Sequence, residues 1–436
     1  MSKRRVHYVL STHWDREWYQ SFQDYRYRLV QLLDRVLDGF SDGRLKGPFF
    51  TDGQVIILED YLEVRPERRQ TIEALVREGK LVVGPWYAMP DEFIISGESL
   101  VRNLRLGRQV ARSLGAEPSD AGFVCDIFGH NSQMPQIFAG FGIRGGFVWR
   151  GVNYDDTKHI LWRGADGTEL PTYRFGLGGY CGYAIGVRHI SAQGRELDAE
   201  TFHRELWNTI RSHAQVTEVD PILLFDGGDH QQWDQRAYGF LMEEMRAGDD
   251  AYEIVHSSLD DYMNEMLAQA DRIGKVIQGE LREPGEKKRA EMGNQWLIPG
   301  VLSSRVRIKQ SNAECQTLLC RWAEPMSAFA HLALDREYPQ GFLDVAWRWL
   351  IKNHPHDSIC GCSIDTVHRE MMFRFAQCRG IAIRLTEEAT LSMAASVQGD
   401  VGDDELRVVV YNPSPQPFEQ VAELTLQIPE GWPTFN

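Results

Sequence analysis

The sequence predicts an α/β chain in three parts: a seven-stranded (β/α) barrel over residues 1-285, a helical bundle over 286-398 and the start of a C-terminal β-sandwich over 399-436. Three observations carry this. Short apolar runs alternate with amphipathic stretches through the first part of the chain. Strand signals fade after Val301 in favour of long helical periodicities. Alternating polarity then returns near the C-terminal end.

In chain order, the expected strands are VHYVLST, GPFFTDG, LVVGPWY, AGFVCDI, GGFVWRG, ELPTYRF and PILLFDG. Near-continuous apolar runs mark strands buried on both faces, as in a parallel sheet covered by helices. Between them, Leu29, Leu32, Leu33, Val36 and Leu37 recur at helical spacing, as do Leu100, Leu104, Val110 and Leu114. Seven such repeats suggest a barrel rather than an open sheet, and barrels of this kind carry their chemistry at the C-terminal ends of the strands. Further on, NAECQTLLCRWAEPMSAFAHLAL and DVAWRWLIKNH read as helices of a bundle. The tail LRVVVYNPSPQPFEQVAELTLQI alternates around a Pro-rich turn. Two strands do not make an independently stable sheet, so the rest of this β domain is expected to lie outside the sequence.

The composition is that of an ordinary globular protein, 43% hydrophobic and 25% charged over 436 residues. With 47 Lys and Arg against 62 Asp and Glu, the formal charge is -15. No basic stripe offsets this excess, which argues against nucleic acid and anionic membrane as partners. After MSKRR the chain alternates and offers no continuous apolar region of a secretory signal, and no run approaches the length of a membrane span. The seven cysteines (125, 181, 315, 320, 360, 362 and 378) form no paired zinc signature. Scattered thiols of this kind fit a reducing cytoplasm.

Four polar clusters fall at strand ends or in the loops after them: His13 with Asp15; Asp126 in FVCDIFGH; Asp226, Asp229 and His230 in LLFDGGDH; and His354, His356 and Asp357 in NHPHDSICG. Side chains two apart on a strand point the same way, so His13 and Asp15 can converge on one object. Each cluster alone has a bland reading: an Asp after a strand is often a helix cap, and a buried His is often a satisfied core residue. Together they supply a mixed nitrogen and oxygen donor set suited to a divalent ion such as Zn²⁺, with a position left open for substrate. The remaining carboxylates are raw material for general acid/base work.

HWDREW, FVCDIFGH, GGFVWR, GGDH, GVLSSRVRIKQ and NHPHDSICG, in this order, resemble the retaining α-mannosidases of glycoside hydrolase family 38. The similarity runs from about Arg5 to Ile383. The resemblance implies one zinc ion per chain, bound by His13, Asp15, Asp126 and His356. It makes Asp126 the nucleophile as well as a ligand and Asp229 the acid/base residue. Trp18 becomes a wall of the sugar pocket, Arg150 a neighbour of the nucleophile, and Asp357 a ligand of sugar hydroxyls. The implied substrate is an α-mannoside, cleaved by double displacement.

This assignment agrees with the chemistry. A retaining glycosidase needs an attacking carboxylate and a proton donor about 5–5.5 Å apart. A cation beside Asp126 keeps it ionised, whereas Asp229 has to begin protonated, which favours an apolar seat away from the metal. Two departures stand out. Pro355 separates His354 from His356 where the family commonly has adjacent histidines; His356 keeps the His-Asp junction, and His354 is left to support it from behind. Asp226 competes with Asp229 for the acid role, and Asp229 matches the motif better. The competing readings are a metal-dependent carbohydrate deacetylase and a non-catalytic sugar-binding fragment. Because relatives often assemble, a homo-oligomer is a further expectation.

Overall fold

The first strand, β1 (Arg4–Ser11), is buried at every residue from Val6 onward, the mark of a strand covered on both faces. It belongs to a computed structural model that describes residues 3–152, 157–176, 178–189, 197–283, 297–402, 405–412 and 414–427. The chain divides into two compact units, one made of Met1–Lys309 with Ile351–Met371 and the other of Gln310–Leu350 with Met372–Asn436.

In the first unit β1 leads into α1 (Phe22–Ser41), β2 (Phe49–Phe50), α2 (Ile56–Leu62), α3 (Arg69–Arg77), β3 (Leu81–Val82) and α4 (Gly97–Ser113). Then follow β4 (Ala121–Val124), α5 (Met134–Gly140), β5 (Gly145–Val148), β6 (His159–Arg163), β7 (Glu169–Arg174), α6 (Gly182–Gly186) and α7 (Ala199–Gln215). The alternation ends with β8 (Ile222–Asp226), α8 (Gln235–Ala247), β9 (Tyr252–His256), α9 (Leu259–Leu267) and β10 (Val276–Gln278). Helix α1 shows why these segments form. Ser21 caps it reciprocally with Asp24, and Leu29, Leu32, Leu33, Val36 and Leu37 turn one apolar face inward.

All seven expected strands occur, together with β6, β9 and β10. Among the described residues they form two five-stranded sheets. In the first, β3, β2, β1 and β8 lie in order, β9 also pairs with β1, and every pairing is parallel. In the second the order is β10-β6-β7-β5-β4, with β6 and β7 antiparallel. The described ladders therefore do not close into the expected seven-stranded barrel. One reason is the shortness of β2 and β3, two residues each. Another is that the Phe123 carbonyl in β4 accepts a hydrogen bond from the Trp86 indole at 3.1 Å rather than from a further strand. The interior is nonetheless shared. Phe123 meets Phe50 of β2 edge-on at 5.3 Å and stacks on Phe225 of β8 at 5.2 Å.

The later part of the chain is helical, with α10 (Val306–Thr317), α11 (Glu324–Leu334), α12 (Gln340–Ile351), α13 (His356–Ile359) and α14 (Asp365–Ser396). A π-helical segment, Leu318–Ala323, joins α10 to α11. Pro325 accounts for it: the ring has no N–H and crowds the carbonyl four residues back, so the preceding turn loosens. In the second unit Met326, Ala330, Ala389 and Met393 make a small core.

Two further features concern the C-terminal part of the chain. Ile351–Met371, which the sequence places within the helical domain, belongs to the first unit. Among the described residues beyond Val397 there is no strand. Val410, Val421 and Leu424 are instead 80%, 91% and 59% exposed, since an alternating chain with no strand beside it buries neither face. No helix among the described residues is long and apolar enough to cross a membrane.

Candidate metal centre

The site is assembled where the strands of the first unit end. Beyond Ser11 the β1–β8 pairing continues one step as an isolated parallel bridge. The His13 amide donates to the Gly228 carbonyl at 2.8 Å, and the His230 amide donates to the His13 carbonyl at 2.8 Å. This sets His13 beside Asp229. Just past β2, Asp52 adopts a left-handed backbone with φ 54°. Its carboxylate lies 3.0 Å from His13 Nδ1 and accepts from the Trp14 amide at 2.9 Å and from the Gln54 amide group at 2.9 Å.

On the other side of the ring, His13 Nε2 is 3.1 Å from Asp15 Oδ1 and 3.3 Å from Asp126 Oδ2. Asp126 stands two residues past β4. Arg150, two residues past β5, places a guanidinium nitrogen 2.5 Å from Asp126 Oδ1. His356 opens α13, and its Nε2 lies 3.2 Å from Asp126 Oδ2 and 3.3 Å from Asp15 Oδ1. His13, Asp15, Asp126 and His356 are all buried, and each offers a ligand atom within 4.8 Å of the others'.

The residues fit a divalent cation. His13 Nε2 and Asp15 Oδ2 are buried, and neither makes a well-aligned hydrogen bond. Two imidazole nitrogens with two carboxylates make a mixed donor set of the kind that holds a divalent metal ion. Without a cation the cluster supplies its own compensation. Burial lowers the His13 pKa, but the charges of Asp52 and Asp15 outweigh it and push the ring well above its usual value. His356 is likewise raised, to about 10, as the charge of Asp357 and hydrogen bonds to Asp126 and Asp15 overcome burial. For Asp126, burial is outweighed by Arg150 and by the two imidazoles, which hold it well below the carboxylate range. Asp15 is also lowered, the His13 charge overcoming burial.

The other expected residues occupy distinct settings. Asp229 is half-buried and its Oδ1 accepts from the Tyr180 hydroxyl at 2.7 Å, with the Cys181 sulfur 3.7 Å away. This seat is polar, not the apolar one anticipated. Asp226, still within β8, is taken up by the Tyr8 hydroxyl at 2.6 Å and by Arg188 at 2.8 Å. Asp357 is buried beside the cluster, with the Cys362 thiol donating to it at 3.1 Å; burial and then the Asp15 charge push its carboxyl up to about 7. His354 is buried too, and burial pushes its ring down to about 3. Trp18 is half-buried and stacks on exposed Tyr19 at 3.6 Å. Tyr19 feels the charges of Asp229, Asp357 and Asp15, which puts this aromatic pair close to the cluster.

Three residues were given no role from the sequence. Asp52 reads there as part of a TDG turn. Tyr180 lies in the glycine-rich GGYCGY stretch, yet it is buried near both Asp126 and Asp229 and its hydroxyl is raised well above its usual pKa, first by burial and then by those two charges. His230, noted within GGDH but given no role, stacks on Tyr25 at 4.1 Å and approaches the Asp15 carbonyl at 3.3 Å.

Fold and cluster together define an α/β domain with a buried donor cluster that could hold a metal ion and carboxylates close beside it. Residues 3–282 match the family model "Glycosyl hydrolases family 38 N-terminal domain", and residues 297–393 match "Alpha mannosidase middle domain". The chain belongs to glycosyl hydrolase family 38. It is 32% identical over 416 residues to a putative mannosylglycerate hydrolase of Halalkalibacterium halodurans, covering 91% of this chain and 43% of that protein. Human alpha-mannosidase 2C1 is 24% identical over 359 residues, covering 80% of this chain and 30% of that protein. Among solved structures, an alpha-mannosidase from Enterococcus faecalis V583 superposes with a TM-score of 0.79 at 32% identity, covering 91% of this chain and 43% of that one. The chain thus spans less than half the length of these relatives.

Proposed function

We propose that the chain is the catalytic part of a zinc-dependent retaining α-mannosidase. Its substrates would be terminal α-D-mannosides of oligosaccharides or of mannosylated small molecules, the mannosylglycerate in one relative's name among them. One observation carries the reading: Asp126 converges with His13, Asp15 and His356 on a single buried point, while Asp229 lies alongside His13 at the next strand end.

In this reading Asp126 attacks the anomeric carbon, held ionised by Arg150 beside it and by the cation the cluster would bind. Asp229 gives its proton to the leaving oxygen, then takes one from the water that cleaves the glycosyl-enzyme ester. The Tyr180 hydroxyl donates to Asp229 at 2.7 Å and so orients its carboxyl group. A bound zinc ion would supply Lewis-acid polarisation of mannose hydroxyls. Trp18 offers a flat face to the sugar, and Asp357 an acceptor for its hydroxyls. The Tyr8 and Arg188 contacts of Asp226 favour Asp229 over Asp226 as the acid. None of the seven cysteines is in a disulfide, which supports a reducing cytoplasm as the setting; finding the protein outside the cell would contradict that.

The test is turnover of an aryl α-mannoside, with the β anomer as control, before and after chelation and zinc restoration. A fluorosugar should leave a covalent adduct on Asp126, identified by peptide mass. Asp229→Ala should lower turnover by about 10²–10⁴-fold. Full activity after exhaustive chelation, or an adduct on another residue, would remove this reading.

A further inference from the structure

The motif GVLSSRVRIKQ, residues 300–310, supplies neither a ligand atom to the metal cluster nor a carboxylate beside it. Three of its side chains nevertheless reach the loop that follows α13, 51 to 60 residues further on and within the same unit. Lys309 Nζ donates to the Cys360 carbonyl at 3.0 Å. The Ser304 hydroxyl and Arg305 Nε both donate to the Gly361 carbonyl at 3.2 Å, and Arg305 Nη2 donates to the Asp365 carboxylate at 2.8 Å. Cys360 and Gly361 are buried, so their carbonyls need partners of this kind.

The join is tight. Arg305 takes a left-handed backbone, φ 49°, a conformation that a residue with a Cβ keeps only where its surroundings enforce it. Gly361 is left-handed as well, φ 79°, and a Cβ on it would come 3.1 Å from Ser304 Oγ and 3.2 Å from the Ser304 carbonyl oxygen. The loop so held carries Cys362, whose thiol donates to Asp357 Oδ1 at 3.1 Å, and Ser363, whose hydroxyl donates to the Asp357 carbonyl at 2.9 Å. The second carboxylate oxygen of Asp357 has a different fate. Oδ2 is buried without a hydrogen-bond partner among the described residues, and His356 Nε2 stands 3.8 Å from it. A buried acceptor left open is costly until something binds it.

We propose that Cys362 is a positioning residue of the sugar site. Its thiol occupies one oxygen of Asp357 and so presents the other to a mannose hydroxyl, while Ser304, Arg305 and Lys309 hold the loop that aims it. This rests on the reading of Asp357 as an acceptor for sugar hydroxyls, and it gives the GVLSSRVRIKQ motif a task at the site although none of its side chains belongs to the metal cluster.

The experiment is calorimetric titration of the full chain, supplied with zinc, with deoxymannojirimycin, an iminosugar that keeps the ring hydroxyls of mannose and cannot be hydrolysed. Turnover of an aryl α-mannoside is followed on the same samples. Cys362→Ala should weaken binding about tenfold or more, the size of one misplaced charge-assisted contact. Cys362→Ser keeps a donor at that point and should bind within about threefold of wild type. Arg305→Met frees the loop and should weaken binding in the same sense; combined with Cys362→Ala it should add little, because both act through one contact. It also carries the test if Cys362→Ala melts abnormally. The proposal is overturned if wild type shows no saturable binding, or if Cys362→Ala binds as tightly as wild type. It is also overturned if Cys362→Ser loses as much as Cys362→Ala, which would leave the thiol a packing role, or if the Arg305 and Cys362 losses simply add. Wild type that binds the iminosugar without turning over the aryl α-mannoside would remove the catalytic reading alone.

Discussion

His13 shows how a single side chain is prepared for a cation. Its Nδ1–H donates to Asp52, which leaves Nε2 as the nitrogen that faces Asp15 and Asp126 and would lose its proton to a bound cation. Asp52 is itself held by the Trp14 amide and the Gln54 side chain, so the ring's orientation is built into the ends of β1 and β2. Asp52→Asn keeps the shape but loses the anionic acceptor. Zinc affinity should fall about 10–100-fold, measured by competition with a chelator of known affinity; an unchanged affinity would mean that Asp52 does not tune the ligand. Residues of this kind are hard to read from sequence. His13, Asp15, Asp126 and His356 fell within polar clusters at strand ends or loops, and it was the resemblance to the family that joined them into one ligand set. Asp52 and Tyr180 acquire meaning only from partners 39 and 49 residues away.

At the scale of elements, the plainest of the seven legible strands were those buried on both faces: β1, β4, β5 and β8 read as nearly unbroken apolar runs. The three missed, β6, β9 and β10, have their apolar pattern interrupted by charged or exposed residues. β10 is three residues and largely exposed, and β9 begins YEIVH with only Ile254 fully buried. Turns hold a further layer that composition does not show. Gly151 follows Arg150 at the end of β5 with φ 84°, and a Cβ there would fall 1.9 Å from the Leu281 carbonyl oxygen. That oxygen belongs to backbone already tied to His130 by hydrogen bonds of 2.9 Å in both directions, so it has little freedom to retreat. Gly151→Ala is therefore expected to cost about 1–3 kcal/mol in backbone strain alone and to shift Arg150 relative to Asp126. A lowered melting temperature together with reduced turnover of an aryl α-mannoside would match this. Wild-type values in both would show that the turn tolerates a side chain.

For the whole molecule, the metal centre ties folding to pH. His356 titrates at about 10 in the metal-free protein and at about 6.5 when unfolded. Its raised pKa contributes stability that is complete below about pH 6.5 and is lost as pH rises through about 10. Asp357, raised to about 7 by burial and the Asp15 charge, works in the same direction: its ionisation costs stability from about pH 4 up to about 7. Metal-free protein should therefore weaken progressively above neutral pH, by up to roughly 1.4 kcal/mol per pH unit for each proton involved. A zinc ion at the proposed site would replace the protons on His13 and His356, so its binding would release them and tighten as pH rises. A ligand bound only by the folded state stabilises it by mass action, about 2.7 kcal/mol at a hundred times its Kd. Thermal melts with chelator and with excess zinc, run from pH 6 to 9, should therefore diverge, the metal-free curve falling while the zinc-loaded one changes less. A gap that stays constant or narrows with pH would mean that the two imidazoles are not the protonated pair zinc displaces, and the ligand set would then have to be redrawn.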